Sequence, residues 1–383
     1  MLAITRRALA VGLLTVALAA CRVVPDTGRP GPAPTPTPTP GPSGDLLPTD
    51  TGRHRVALLV PLSGENAAVG RSIANATTMA LLDTNAENLR ITTYDTATGA
   101  GSAAQRAIAD GNKLILGPLV REDVTPVLAR ARPAGVPLVT FSNDTTVAAP
   151  DVFVMGHVPE QSIFRTVAYA SQQGARRFAA LVPNGDYGRR AGEALSLAVA
   201  GVGGTLVATE RYDRGNTSIV SAAERLKTSG GYDAVLIAEG SRLSAMAAGA
   251  LKEGGVQVAV IGTELWSGEA SLANSAAMRG AWFSAVSDNR YRQFVTSYQS
   301  RFGEEPYRIA TLGYDAVLLA LRIAREWQPG RNFPTGRMLA ADGFLGLDGP
   351  FRFLNSGVGE RGMEVRQVGN GSISVVDPAP TRF

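Results

Sequence analysis

The 383-residue chain is 45% hydrophobic and 18% charged with a net charge of +4, so it can bury a sizeable core and is long enough for two lobes. Only three of its 37 basic residues are lysines (Lys113, Lys227 and Lys252), and the arginines are scattered instead of massed in a stripe, which excludes a phosphate-tracking, nucleic-acid-binding surface. The single cysteine, Cys21, excludes an internal disulfide framework.

Cys21 directly follows an export-like segment. Arg6 and Arg7 form a positive start, Ala8 to Leu18 is apolar but too short to span a bilayer comfortably, and Leu18-Ala19-Ala20-Cys21 supplies small residues for cleavage. The segment resembles a bacterial lipoprotein signal, which implies removal of residues 1–20 and diacylglycerol attachment to the Cys21 sulfur. The alternative is an ordinary secretory signal with a chance cysteine. Residues 21–52 then read as a tether, because GRPGPAPTPTPTPGPSG has almost nothing to bury. At about 3 Å per residue, ~30 such residues reach on the order of 90 Å. Arg22 after the cysteine is, by the same resemblance, consistent with sorting to the outer membrane. No later apolar run approaches ~20 residues, so no second spanning segment is expected.

The folded part opens on RVALLVPLSGENAAVGRSIANATTMALL, Arg55 to Leu82. Val56 to Val60 is a short β-branched and aliphatic run, predicted as a strand buried on both faces. Pro61-Leu62-Ser63-Gly64 breaks it, and Ala67, Ile73, Ala76, Met79, Ala80 and Leu82 recur at helical spacing. Ligands of open α/β sheets bind at the carboxyl ends of strands, so Ser63 and Gly64 form the first candidate site loop.

Strand and helix then alternate. Strands are expected at Leu89–Tyr94, Lys113–Leu116 and Val136–Phe141, with helices at Ser102–Asp110 and Val120–Arg132. The chain is expected to cross over near His157 to Glu160. The pattern restarts with strands at Phe178–Val182, Thr205–Thr209, Ala234–Ala238 and Gln257–Ile261, and helices at Tyr187–Val199, Ser218–Thr228 and Leu243–Glu253. A short strand at Gly280–Ser284 leads back to helices at Arg290–Phe302 and Pro306–Trp327. Strands alternate from Gly349 to Val376, separated by Asn355-Ser356-Gly357 and Gly369-Asn370-Gly371. Two like series suggest two α/β lobes facing a cleft, one from about 53–157 and 286–345, the other from about 158–285 and 346–376, with a tail at 377–383.

Catalytic apparatus is not visible, and the chain is not expected to be an enzyme. His54 and His157 are far apart, without metal-ligand spacing, and read as solvated or hinge-lining residues. No lysine completes an S-x-x-K or P-loop pattern, and no G-x-S-x-G elbow occurs. Gly357-Val358-Gly359-Glu360-Arg361-Gly362 matches G-x-G-x-x-G but precedes a strand, so it reads as a hairpin. No cofactor or metal is indicated.

VALLVPLSGENAAVG, ITTYDT, KLILGPLV, GVPLVTFSND, ALVPNGDYGRRAGEAL and YDAVLIAEG, in this order, resemble the type I periplasmic binding fold of the leucine-binding protein superfamily, over roughly Arg53 to Val376. The resemblance implies two Rossmann-like lobes joined by three crossovers and closing on a ligand. Amino-acid binders of that superfamily hold the ligand carboxylate with hydroxyls after the third and fourth strands, and its ammonium with an acid in the second lobe. Carried over, these loops are Leu119-Val120-Arg121 and Ser142-Asn143-Asp144, the acid is Glu264, and the aromatic lid is Tyr187. Glu239, closing the YDAVLIAEG stretch, joins them as a cleft residue. Arg121 and Asp144 stand where the family has hydroxyls, and Asp144 repels a ligand carboxylate unless paired. Arg121 either clamps an anion or pairs with Asp144 or Glu122 and fills the cleft. Asp186 is a candidate helix cap beside Tyr187.

Gly117-Pro118-Leu119-Val120 and the lipid-plus-tether layout look closer to lipoprotein activators of penicillin-binding proteins, although the helical repeat domain of some activators is missing. The resemblance therefore leaves two roles open. One is a non-enzymatic activator whose partner is a peptidoglycan synthase; the other is a solute receptor for an ABC permease, carrying a branched-chain or related amino acid. Both place the chain on the periplasmic side.

Overall fold

The computed structural model describes residues 52–383; the export-like segment, Cys21 and nearly all of the tether lie outside the described residues. Val56 to Val60 forms most of strand β1 (His54–Val60), and its side chains divide by parity between two cores. Val56, Leu58 and Val60 face helix α1 (Ala67–Asp83), while Ala57 and Leu59 face helices packed on the opposite side. A strand covered on both faces must be apolar throughout, hence the unbroken run. Each fully buried Val or Leu contributes about 1.5–3 kcal/mol.

The first lobe continues with β2 (Leu89–Asp95), α2 (Ala100–Ala109), β3 (Leu114–Leu116), α3 (Arg121–Ala131), β4 (Leu138–Thr140) and β5 (Val152–Val154). Its five strands are parallel in the order β2-β1-β3-β4-β5. The second lobe comprises α4 (Pro159–Gln172), β6 (Arg177–Pro183), α5 (Asp186–Gly201), β7 (Thr205–Tyr212), α6 (Ser218–Ser229), β8 (Ala234–Ile237), α7 (Ser241–Lys252), β9 (Ala259–Gly262) and β10 (Trp282–Ala285). Strand β6 repeats the logic of β1. Ala179 and Leu181 face α6 and α7, and Phe178, Ala180 and Val182 face α4 and α5.

The chain then returns to the first lobe with α8 (Asn289–Phe302), a 3-10 turn at Arg308–Ala310, α9 (Thr311–Ala324) and a small antiparallel sheet of β11 (Phe344–Gly346), β12 (Gly349–Phe353) and β13 (Gly359–Arg361). It closes with β14 (Glu364–Val368) and β15 (Ile373–Asp377), which extend the second sheet to the order β15-β14-β10-β9-β8-β6-β7. The chain therefore passes between lobes three times, at 155–158, 286–288 and 362–363. Among the described residues no helix is long and apolar enough to cross a membrane.

Two expectations need correction. Residues 346–361, expected in the second lobe, pack on the first: Phe351 and Phe353 join the core of β1 and α9, and Val154 bridges Val358. The last crossover thus falls at 362–363 instead of near 346. His54 is not solvated, being 3% exposed and stacked on Trp327 at 4.2 Å between ring centroids. In the tail the Phe383 ring packs 4.7 Å from the Arg352 guanidinium.

The first helix of each βα series approaches its strand end at matching places. A Cβ on Gly70 of α1 would lie 1.8 Å from the Pro61 carbonyl oxygen, and one on Gly188 of α5 would lie 1.7 Å from that of Pro183. These glycines let the helices start close to the strand ends that carry the site loops. Gly70→Ala and Gly188→Ala are each expected to cost about 1–3 kcal/mol through overpacking, whereas Gly192→Ala, in the same helix as Gly188 with nothing nearby, is expected to be neutral or stabilising by up to about 1 kcal/mol. Urea denaturation midpoints check both signs.

Candidate functional site

The carboxyl ends of β1, β3 and β4 in one lobe face those of β6 and β9 in the other across a cavity of about 650 Å³. That size suits a small ligand. One wall comes from Asn66 and Val69 at the start of α1, from residues 119–122 at the start of α3, and from residues 141–144 after β4. The other comes from Asp186, Tyr187 and Arg190 of α5 and from Glu264, Leu265, Ser267 and Glu269 after β9. His157 of the first crossover and Arg308 with Ile309 complete the lining.

On the first wall Asp144 is 5% exposed, yet well supplied with partners. Oδ1 accepts from the Thr146 amide at 2.8 Å and the Thr146 hydroxyl at 2.6 Å, and Oδ2 lies 3.1 Å from Arg121 Nε. Burial pushes this carboxyl up, but the Thr146 hydrogen bonds and the charges of Arg190 and Arg121 outweigh it and hold it below the ordinary carboxylate value. Ser142 accepts from the Asp144 amide at 3.1 Å, which leaves its own O–H to donate. Arg121 does not pair with Glu122 in this arrangement; its Nη1 crosses to the other lobe and donates to Asp186 Oδ2 at 2.6 Å. Asp186 accordingly acts as an interlobe partner, with no side-chain cap on α5.

The second wall carries the opposite electrostatic situation. Tyr187 donates its hydroxyl to Glu264 Oε1 at 3.0 Å and lies 2.9 Å from the Thr263 hydroxyl. Glu264 Oε2 is buried and has no partner. Burial pushes Glu264 up to about 7 despite a backbone hydrogen bond and the one from Tyr187, and burial together with the Glu264 charge holds the Tyr187 phenol well above its ordinary value. Neighbouring Arg190 does not neutralise Glu264. Its guanidinium forms a fork with Glu160 of α4, Nε to Oε1 and Nη2 to Oε2, both at 2.7 Å.

Of the residues singled out from sequence, Leu119, Arg121, Ser142, Asn143, Asp144, Tyr187 and Glu264 meet around this cavity. Three do not line it. Ser63 donates to Asp95 Oδ2 at 3.0 Å, and Gly64 serves a turn at φ +73. Glu239 accepts from Tyr212 at 3.0 Å and from Arg214 Nε at 2.9 Å, while the Arg214 guanidinium sits 5.1 Å above the Tyr187 ring. Glu239 thus braces the aromatic lid from behind, because the side chain of a strand-end residue can turn toward its own sheet edge as readily as into the cleft. Sequence reasoning missed Asn66, Arg190 and Arg308; no motif marks Arg308, whose place depends on the return of the chain from the second lobe. Among the described residues no group of three or more His, Cys, Asp or Glu could hold a metal ion.

The walls thus offer a neutralised acid and a free hydroxyl on one side and an unpartnered acid with an aromatic ring on the other, equipment for holding a small polar molecule. The description "periplasmic binding protein" matches residues 54–372. An uncharacterised protein of Rickettsia prowazekii is 26% identical over 173 residues, so the match spans 45% of this chain and about half, 46%, of that relative. Among solved structures, the substrate-binding protein LivJ of Streptococcus pneumoniae, a branched-chain amino acid transporter component in complex with isoleucine, superposes with a TM-score of 0.64 at 18% identity over 85% of this chain and 100% of that one. A solute-binding protein of an R. palustris ABC transporter in complex with benzoate gives 0.64 at 17% over 86% and 98%. These two share the fold while holding chemically different ligands. With its family match covering most of the length, this chain belongs to the periplasmic binding proteins, in their two-lobed, leucine-binding-protein-like form.

Proposed function

We propose that the chain is a solute receptor whose cleft takes a small, amino-acid-like ligand through its ammonium group and presents it to an ABC permease, the protein being held on the periplasmic side by a lipid on Cys21. The observation that carries this is the buried, unpartnered Oε2 of Glu264 beside Tyr187 in an interlobe cavity. An unpaired buried acid costs stability that a bound cation returns, because the ion pair forms where solvent competes little. On the opposite wall the Ser142 hydroxyl remains as a donor for the other end of the ligand.

A second reading has its own support. Arg121 ties Asp144 to Asp186 across the mouth, so it occupies the place where the family holds a carboxylate and joins the lobes without a ligand. With the long Pro/Thr tether and Arg22, this favours an activator of peptidoglycan synthesis anchored in the outer membrane and contacting a penicillin-binding protein. A pull-down with periplasmic penicillin-binding proteins, run beside a known pair, is expected to recover a partner if this reading holds and none if it fails.

Titration calorimetry at pH 8 against the amino acids and simple alkyl amines tests the receptor reading. Micromolar or tighter binding of at least one amine is expected, with Glu264→Gln weakening it roughly 100-fold. Silence across the panel sinks it. Affinity for the same amine is expected to fall as pH drops below about 7, by at most about tenfold per pH unit, because protonation of Glu264 removes the charge the ammonium needs.

The ligand-free protein carries a matching signature. The folded value of Glu264, about 7, lies above its ordinary 4.5, so both folded and unfolded chains are protonated at low pH and no penalty exists there. Stability then falls as pH rises from about 4.5 through 7, by at most about 3 kcal/mol. Glu264→Gln is expected to abolish that decline in a series of denaturation curves, and a decline unchanged in the variant would refute the assignment.

A further inference from the structure

Two polar side chains at one end of the cleft have hydrogen bonds left to make. Arg308 uses only half of its guanidinium: Nη1 donates to Asp348 Oδ1 at 2.8 Å and to the Thr311 hydroxyl at 3.0 Å. Nε and Nη2, the other edge, are buried and have no acceptor. The Ser267 hydroxyl, in the loop after β9, is likewise buried without a partner. Both residues line the cleft. Their segments also touch, since a Cβ on Gly268, next to Ser267, would stand 3.6 Å from Arg308 Cδ.

No neighbouring side chain takes up these donors. Asp288 comes nearest, but its Oδ1 lies 3.7 Å from Nη2, beyond hydrogen-bond reach, and Asp288 lines an adjoining cavity beside Glu364 and Arg366 instead of the cleft. The Tyr291 ring stands 4.2 Å from the guanidinium and holds its plane, leaving the Nε–Nη2 edge as the part still to be satisfied. Arg308 sits before α9 of the first lobe and Ser267 after β9 of the second. A group held between the lobes at this end therefore meets both.

We propose that Arg308 and Ser267 form a subsite for the far end of the ligand and that it takes a carboxamide, so the cleft suits an amino acid with an amide side chain and not a branched-chain one. The carboxamide oxygen accepts from the open edge of Arg308, and the amide nitrogen donates to Ser267. A carboxylate there is disfavoured by charge: Arg308 already faces Asp348 at 2.8 Å and Asp288 at 3.7 Å, and Glu269, two residues from Ser267, lines the cleft as well. An aliphatic side chain fits worst, because it seals Nε, Nη2 and the Ser267 hydroxyl against hydrocarbon with nothing to bond. The assignment rests on the receptor reading for the place of the ammonium and adds the chemistry of the other end.

Titration calorimetry with two sets of amino acids matched in shape tests it: asparagine, aspartate and leucine, then glutamine, glutamate and methionine. In at least one set the amide is expected to bind at least about tenfold tighter than either companion. Ser267→Ala is expected to narrow the gap between amide and aliphatic ligand by roughly tenfold, whereas a merely structural serine would shift both ligands alike. Arg308 is left intact because Asp348 depends on it. Leucine or methionine binding as tightly as the amide, an acid binding tightest, or a gap unchanged in Ser267→Ala overturns the subsite and leaves the receptor reading standing. Should every amino acid be silent, the receptor reading falls, and saturation-transfer NMR with propionamide, which has no ammonium, decides the subsite alone. Transfer that Ser267→Ala abolishes supports it; no transfer, or transfer unchanged by the substitution, refutes it.

Discussion

Where the crossovers meet the first lobe, the packing centres on one buried carboxylate, Asp348, which is fully inaccessible to solvent. Its Oδ2 lies 2.9 Å from His157 Nε2 on the first crossover and accepts from the Thr311 hydroxyl at 2.9 Å, its Oδ1 accepts from Arg308 at 2.8 Å, and Arg361 at the end of β13 stands 3.9 Å away. Burial opposes ionisation here, but the Arg308 charge and the His157 hydrogen bond outweigh it and hold the carboxyl far below its ordinary range. Nearby Asp315, with the like charge of Asp348 adding to its own burial, is pushed the other way. Burial holds His157 below its ordinary value against the opposing pull of Asp348. Removing any one partner would strand the rest without water, which is why such a cluster defines one arrangement of three chain passages instead of merely adding stability.

Polar chemistry collects at this junction because the lobes are otherwise self-sufficient. Each sheet is sandwiched between two apolar clusters of its own, and β1 and β6 distribute alternate side chains between them. Little apolar surface is left to glue one lobe to the other, so the union rests on three short chain passages and on ion pairs. Directional, distance-sensitive contacts suit a joint that must hold more than one angle. At the opposite side of the cleft the same applies: Arg121 and Asp186 reach each other with 46% and 63% of their side chains exposed, and a pair so wet is worth little and breaks readily.

Most of the alternating βα order was legible because unbroken apolar runs and small-residue turns are local signals. Some of the failures were local too. Strand β5 has only three residues, Val152–Val154, and α4 buries Ser162, Thr166 and Ser171 beside Ile163 and Val167, so its inward face carries no clean apolar stripe. The lobe to which Phe351 and Phe353 belong is a question of long-range topology that their alternation cannot answer. The family resemblance carried Arg121, Asp144, Tyr187 and Glu264 to the cleft, whereas the strand-end rule named Ser63 and Gly64, which do not line it. Neither could say which way a side chain turns: Asp95 claims Ser63, and Tyr212 and Arg214 claim Glu239. His157 was already expected at the first crossover, whereas Arg308 needed the return of the chain from the second lobe to be placed first.

The two acids of the cleft then decide its polarity. Asp144 and Glu264 are both carboxylates on facing walls, yet one accepts from Thr146 and pairs with Arg121, while the other receives the Tyr187 phenol and a backbone hydrogen bond but no cation, and keeps an oxygen free. A ligand cation therefore gains most at the Glu264 wall, where it relieves an uncompensated burial, and little at Asp144, where it would have to displace Arg121. An acceptor group on the same ligand faces the reverse choice, being repelled near Glu264 and met at the first wall by the Ser142 hydroxyl and by an arginine whose second partner is the exposed Asp186. If such a group takes the place of Asp186 on Arg121, it removes an interlobe contact as it binds, so the mouth contact and the ligand compete for one guanidinium.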